Sequence, residues 1–154
     1  MNLTRFALYI LILALIPVSN STATADKGYL RIEGTIYSEE PSFDVTSIGA
    51  LVFENNLVGS MNISHLDSDL NGSAATMDLG GGFALRGRIS LLLLLGVSVG
   101  YNWDTDDLVT AYYPEIGLVT EITSKIGISL SGKRYINLYD KYEDVIMLGL
   151  IFSY

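Results

Sequence analysis

The sequence is poor in the residues that stabilise many small soluble domains. It has no cysteine, which excludes a disulfide framework and a lipid anchor attached through cysteine. Charged residues make up only 17% of its 154 residues, against roughly 25% in an average soluble domain. This length allows one ordinary domain. We therefore expect part of the surface of a single domain to face something other than water.

The longest apolar run, Phe6 to Val18, follows Arg5 near the start of the chain. It is shorter than the roughly 17 apolar residues that a membrane anchor needs, which favours a cleaved segment over an uncleaved anchor. Ala23-Thr24-Ala25 offers the small side chains that signal peptidase accepts. We expect a signal peptide over residues 1–25, with Ala23 and Ala25 at the cleavage site, and a mature domain over residues 26–154.

The mature part is strongly acidic. Removal of residues 1–25 leaves eight Lys and Arg against 17 Asp and Glu, a formal net charge of −9. An acidic protein repels phosphates instead of neutralising them, so nucleic acid is excluded as a partner.

Beyond Ala25 the sequence has no helical period of apolar residues, and strand-forming residues and glycine dominate. Turn-like clusters cut it at seven places, which predicts eight strands. Most of these reach the 9–11 residues or so that a tilted transmembrane strand requires. The predicted fold is all-β, an eight-stranded antiparallel up-and-down transmembrane β-barrel. Its predicted strands are 28–38, 43–53, 57–66, 73–85, 89–103, 108–120, 126–138 and 145–154.

The predicted connections alternate in kind. The second, fourth and sixth are brief and include Arg86, Arg88 and Lys125, whereas the others are mostly longer and acidic, as in 104–107 and 139–144. Transmembrane barrels have tight periplasmic turns and larger outside loops, so we expect the acidic end to face outward.

Alternation along the predicted strands separates two faces. In 89–103 the odd-numbered positions from Leu91 to Trp103 are large and apolar, and we expect them to face lipid. In strand 43–53 the alternation does not decide which set of residues faces lipid.

Pro114 lacks the N–H that a ladder needs, which predicts a bulge in 108–120. A soluble barrel with its apolar face inside is the alternative.

Five charged residues fall on the face opposite the apolar one. An Arg or Lys that faces lipid near the midplane costs about 2–4 kcal/mol, so we expect this set to line and fill the lumen as hydrogen-bonded ion pairs. The network either fills and stiffens the barrel or passes a gated trickle of ions. Its members are Arg31, Glu33, Asp78, Glu115 and Lys133.

The last ten residues resemble the C-terminal targeting signature of outer-membrane proteins, a terminal aromatic preceded by alternating apolar positions. That resemblance implies recognition by the barrel-assembly machinery. The mature chain as a whole is similar in layout to the small eight-stranded barrels of the OmpA and OmpX type. A narrower likeness to YfaZ-type proteins rests on residues 59–82 and 131–138. The residues of the assembly signal are Ile146, Leu148, Leu150, Phe152 and Tyr154.

The sequence gives little support to catalysis. His65 is the only histidine, and its neighbour Ser64 points to the opposite face of a strand, so the two do not form a nucleophile–base pair. The acidic clusters 39–40 and 104–107 lack the glycine and distal glutamate of a calcium loop. No metal site, cofactor or enzymatic activity is expected.

Together these features predict a small integral protein in the outer membrane of a Gram-negative bacterium, with a structural or interaction role and no wide pore. Outer-membrane lipid, lipopolysaccharide and the assembly machinery are the expected partners, and a monomer is expected. Two alternatives stay open: a lipid-modifying enzyme that uses His65 at the barrel rim, and a soluble periplasmic barrel that carries a small apolar ligand.

Removal of Phe152 to Tyr154 is expected to abolish barrel assembly and to leave signal cleavage intact, because cleavage precedes insertion and insertion depends on the last strand. Immunoblots of membrane fractions measure both steps. Accumulation of folded barrel from the truncated chain would contradict the targeting role of these residues.

Overall fold

The computed structural model describes residues 27–40 and 42–154, which form one antiparallel sheet closed into a barrel. The expected signal peptide, with Ala23 and Ala25, lies outside the described residues. No helix in this part of the chain is long and apolar enough to cross a membrane. The eight strands of these residues are β1 (Lys27–Ser38), β2 (Phe43–Glu54), β3 (Leu57–Ser68), β4 (Gly72–Leu85), β5 (Ile89–Asn102), β6 (Asp107–Glu121), β7 (Ile126–Leu138) and β8 (Lys141–Ser153).

Every strand pairs with its neighbours in the chain, and β8 returns to pair with β1. The predicted eight-stranded antiparallel up-and-down barrel is therefore confirmed. Closure leaves no free strand edge, so the ladder satisfies backbone groups all around the wall.

Alternating burial follows the alternation of the sequence. In β5 the outward positions Leu93, Leu95 and Val97 are exposed, whereas Leu92 and Leu94 are buried inside. The structure also fixes the facing of β2, which the sequence left open. Its inward residues are Val45, Ser47 and Leu51, and its outward ones include Ile48 and Val52.

Aromatic side chains border the apolar outer surface. Toward the end formed by the β1–β2, β3–β4, β5–β6 and β7–β8 connections, exposed aromatics lie on four strands and one turn, and a smaller group lies at the other end. Amphipathic rings favour the boundary between lipid and water. The first group is Tyr37, Tyr101, Trp103, Tyr112 and Tyr142, and the second includes Phe83 and Tyr154.

The connections differ from the prediction in length but not in charge. All seven run for two to four residues, so the expected longer outside loops are absent. The largest difference is at 139–144, where β8 already begins at Lys141 and only Tyr139 and Asp140 form the turn. This segment becomes strand because β7 offers it partners, including Arg134 for Asp144.

The bulge predicted at Pro114 is wrong. Pro114 pairs with Leu95 in an unbroken β5–β6 register, and the β6–β7 pairing keeps the same register before and after it. Only the local pairs around Pro114 are missing, because proline has no N–H to give to β7. The register shifts of the described strands instead lie between Thr35 and Tyr37 and between Ile136 and Leu138.

The C-terminal residues lie along the closing seam. Ile146, Leu148 and Leu150 face outward, and Tyr154 donates its backbone N–H to the carbonyl of Gly28 in β1 at 3.3 Å. The Tyr154 ring lies against Gly28, where a Cβ would come within 2.6 Å of its Cζ. The absence of a side chain at Gly28 in β1 thus leaves room for the Tyr154 ring at the β1–β8 pairing.

We expect the folded protein to be heat-modifiable, so that unboiled and boiled samples migrate differently in a detergent gel. A closed ladder with its backbone groups paired resists unfolding by detergent. Identical migration of both samples, for protein whose circular dichroism shows folded strands, would contradict a closed transmembrane barrel.

Candidate functional site in the barrel interior

Four of the five charged residues predicted to line the lumen form a buried chain of ion pairs across it. Arg31 Nη1 donates to Glu115 Oε1 at 2.7 Å, although β1 and β6 are not neighbours in the sheet. Arg31 Nε also lies 3.3 Å from Glu33 Oε2, and Lys133 Nζ lies 3.7 Å from Glu115 Oε2. Their side chains are at most 1% exposed. This network of ion pairs therefore joins β1 to β6 across part of the lumen.

Strand register explains how these charges meet. Glu115 and Lys133 are direct cross-strand partners on β6 and β7, so pairing brings opposite charges together. Arg31 and Glu33 are two residues apart on β1 and share its inward face. Hydroxyls add to these contacts, because Ser129 and Ser131 donate to Glu33 Oε1 at 3.0 and 3.2 Å.

Asp78 is buried with the others but is held differently, which corrects the expectation that all five residues pair as ions. Its carboxylate accepts hydrogen bonds from three hydroxyls: Ser64 at 2.8 Å, Thr76 at 2.9 Å and Ser98 at 2.6 Å. Hydroxyls on β3, β4 and β5 thus stabilise a buried carboxylate. The sequence contained a signal for this arrangement, because Ser64 and Ser98 lie at inward-facing positions of the strands next to β4. We refer to the three hydroxyls as the hydroxyl cradle of Asp78.

Two apolar clusters among the described residues enclose this polar layer. The cluster toward the acidic end includes Phe43, Tyr113 and Tyr135, with ring centroids 6.4 Å apart for Phe43–Tyr135 and 5.6 Å for Tyr113–Tyr135. The cluster toward the other end includes Tyr29 and Phe53, whose ring centroids are 5.6 Å apart. The interior is therefore layered as apolar, charged and apolar.

The sequence contains a signal for these clusters, because their apolar residues lie at inward-facing positions of the strands. The Tyr113 ring lies over Gly96, its direct partner on the adjacent strand β5, where a Cβ would come within 2.4 Å of the ring. A glycine on one strand thus makes room for an aromatic ring on the next strand. An eight-stranded barrel is just narrow enough for side chains to fill it in this way.

The acidic end is organised by short hydrogen-bonded turns. Glu40 Oε1 accepts hydrogen bonds from Ser42 at 3.2 Å and Ser68 at 3.0 Å, and Asn102 Oδ1 accepts from the backbone N–H of Asp104 at 2.9 Å. Within the described residues, no group of three or more His, Cys, Asp or Glu side chains is arranged to hold a metal ion.

The opposite end carries the basic residues of the short turns. Lys27 forms an ion pair with Glu121, which also accepts a hydrogen bond from the Tyr29 hydroxyl at 2.8 Å. The Arg86 guanidinium lies 5.8 Å from the centroid of the Phe53 ring. The two ends therefore differ in charge, as predicted.

His65 is not part of a catalytic arrangement with Ser64. Its ring faces outward and stacks on Trp103, with centroids 5.6 Å apart, whereas Ser64 is buried and donates to Asp78. The wall of the barrel therefore separates the two side chains. His65 belongs to the aromatic border at the acidic end.

The fold is a closed eight-stranded antiparallel β-barrel, and solved structures of transmembrane β-barrels share it. The N-terminal β-barrel domain of Pseudomonas aeruginosa OprF is similar, with a TM-score of 0.65 and 14% identity over 84% of this chain and 98% of that one. A structure from the de novo design of transmembrane β-barrels has a TM-score of 0.59 and 11% identity, covering 83% of this chain and 95% of the design.

A second designed barrel, solved by solution NMR, has a TM-score of 0.52 and 13% identity, covering 86% of this chain and 97% of the design. No family model matches the sequence, and no curated protein matches it. The fold thus resembles outer-membrane β-barrels such as the N-terminal OprF domain, and designed transmembrane barrels share it.

Replacement of Arg31 by Ala is expected to lower the free energy of unfolding by about 3–5 kcal/mol, because it removes the guanidinium that pairs with two buried carboxylates, Glu33 and Glu115. Urea unfolding of the refolded protein, followed by circular dichroism, measures the change. Arg134→Ala is the control, since Arg134 also pairs with a carboxylate, Asp144, but its side chain is 54% exposed. An Arg31 variant as stable as the Arg134 control would show that Arg31 is not part of a buried network.

Proposed function

We propose that the protein is an integral outer-membrane barrel with a structural or interaction role and no open pore. The layered interior carries the proposal, because apolar clusters on both sides of the charged layer close the path that ions would follow. Between them, the Arg31–Glu115 pair bridges the lumen. In this proposal the network stiffens the barrel, and the alternative of a gated trickle of ions has less support.

The outer surface supports a membrane location. Exposed large apolar side chains occur on all eight described strands, and aromatic side chains border them. A soluble carrier would need its apolar face inside and room for a ligand, whereas here the lumen is filled by side chains. The likeness to outer-membrane barrels agrees with the expected location in a Gram-negative bacterium.

The proposed orientation places both chain ends in the periplasm and the acidic turns outside. Outer-membrane lipid, lipopolysaccharide and the barrel-assembly machinery remain the proposed partners, the last through the segment that ends at Phe152 and Tyr154. A monomer is proposed. The narrower YfaZ-type likeness remains a prediction without support from the comparisons.

The lipid-modifying enzyme is the weaker alternative. It needs His65 as a base, and His65 instead stacks on Trp103 on the outer wall. We therefore propose no catalytic activity.

The test uses protein from carbonate-washed outer membranes, in which we expect it to remain. Planar-bilayer recordings are expected to show no steady large conductance for the natural sequence. Openings should become more frequent in a Phe43→Ala, Tyr135→Ala double variant, because it removes the ring pair of one apolar cluster. Steady large conductance of the unaltered barrel would contradict a barrel without an open pore. Release of the protein in the soluble periplasmic fraction would contradict its proposed location in the membrane.

A further inference from the structure

A hollow of about 240 Å³ lies at the mouth of the barrel, at the end that carries the basic turns. We name it the basic mouth. Lys27 of β1 lines it together with Arg86 and Arg88 of the β4–β5 turn, and Glu121 of β6 adds a carboxylate. Three cations against one carboxylate leave a surplus of two positive charges. The volume lies below the roughly 300–1,000 Å³ of sites for drug-sized molecules, so the hollow suits a small ionic group.

The basic mouth lies on the inner side of the barrel wall. Lys27 and Glu121 are two residues from the buried Tyr29 and Val119, so they occupy inward-facing positions at the ends of their strands. Tyr29, Val119 and Phe53 also line the hollow and belong to the apolar cluster at this end. A ligand therefore reaches the mouth from the aqueous phase beyond the barrel, and the apolar cluster separates it from the charged layer.

The turn that carries both arginines is held at two points. The Arg86 guanidinium lies 5.8 Å from the centroid of the Phe53 ring, which faces inward. The carbonyl of Arg88 accepts a hydrogen bond from Thr120 Oγ1 on β6 at 3.0 Å. A turn that is held in this way loses less conformational freedom when it binds an anion than a free loop would lose.

Glu121 pairs with one of the three cations. It forms an ion pair with Lys27 and accepts a hydrogen bond from the Tyr29 hydroxyl at 2.8 Å. The surplus of the hollow then equals the charge of its two arginines, which a dianion matches. A phosphate monoester carries a charge of about −1.5 to −2 at neutral pH. A guanidinium also presents a planar fork of N–H donors that fits two phosphate oxygens.

The positive charge of the basic mouth is local. The whole sequence has a formal net charge of −8, and the acidic turns lie at the opposite end of the barrel. Exposed charges interact strongly only within a Debye length, about 8 Å at physiological ionic strength. The nearby cations therefore govern a small anion in the mouth, whereas a long polyanion such as nucleic acid would meet the repulsion of the whole molecule.

We propose that the basic mouth binds the phosphate group of a small, soluble phosphate monoester. The phosphate oxygens accept hydrogen bonds from the guanidinium groups of Arg86 and Arg88, and Lys27 adds positive charge at the edge of the hollow. A soluble ligand is favoured over a lipid headgroup because the cations lie on the inner side of the wall. The inference goes beyond the proposed function, and only the periplasmic source of the ligand rests on the proposed orientation.

Isothermal titration calorimetry of the barrel in phosphatidylcholine nanodiscs, with glycerol phosphate as the probe, tests the proposal. Arg88→Gln is expected to weaken binding by about tenfold, because it removes a charged hydrogen-bond donor. Lys125→Gln is the matched control and should bind as the unaltered barrel does. Lys125 is also a cation on a short turn of this end, but it does not line the basic mouth.

A comparison of two anions tests the match to a dianion. Glycerol phosphate is mostly a dianion at about pH 8 and mostly a monoanion at about pH 5, because the second pKa of a phosphate monoester is about 6. It should therefore bind about tenfold more weakly at the lower pH. Sulfate is a dianion at both values, and its affinity should stay constant because the only histidine, His65, stacks on Trp103 at the acidic end.

A second variant changes the charge of the hollow in the opposite direction. Glu121→Gln removes the carboxylate that would repel an anion, so it should raise the affinity for glycerol phosphate several-fold. A misfolded barrel would not gain affinity, so this variant keeps the test decisive even where Arg88→Gln folds poorly. Heat-modifiability checks the folding of each variant.

Equal affinity of the Arg88→Gln variant and the Lys125→Gln control would overturn the site. An affinity for glycerol phosphate that does not change with pH would contradict the match to a dianion. Nanodiscs that contain phosphatidic acid offer the same phosphate monoester from the membrane, and weaker binding of glycerol phosphate in them would replace the soluble ligand by a lipid. These outcomes leave a folded, membrane-embedded barrel and so refute only this inference. Protein that remains soluble without detergent would instead refute the proposed function.

Discussion

In hydrocarbon an unpaired backbone N–H or C=O has no water to bond, and each such group costs several kcal/mol. Pairing of β1 with β8 removes the two edges that an open eight-stranded sheet would expose. Backbone pairing of the sheet therefore depends on the closing seam between β1 and β8. The contact of the Tyr154 ring with Gly28 lies directly on this seam. Pro114 is the exception within the wall, and it keeps the register by interrupting the β6–β7 ladder locally instead of shifting it.

Closure with eight strands also fixes how much space the interior has. Charged side chains are disfavoured on the lipid face, and those of the central layer point inward, where they must find partners in a narrow lumen. The Arg31, Glu33, Glu115 and Lys133 network meets this need through cross-strand and cross-lumen contacts, and Asp78 meets it through hydroxyls. Apolar clusters lie on either side of these contacts, and polar contacts are stronger in surroundings of low dielectric constant.

Glycines have different roles on the two faces of this wall. Gly96 faces inward and leaves room for the Tyr113 ring to lie over it, whereas Gly81 and Gly132 face outward and leave a depression at the surface. Glycine thus allows an aromatic side chain to fill space on the inner face, and on the outer face it leaves space unfilled. Strand parity decides which of the two occurs, because successive residues point to opposite sides of the sheet.

The sequence by itself determined the number of strands, their antiparallel order, the inward set of charged residues and the difference in charge between the two ends. These are local properties, because a period of two and turn residues can be read within one strand and its connections. Only the tertiary structure decided the start of β8 at Lys141, the absence of a bulge at Pro114, the hydroxyl cradle of Asp78 and the apolar clusters. Each of these depends on which residues of other strands lie opposite, and that is fixed by register and by closure of the barrel, which no single strand contains.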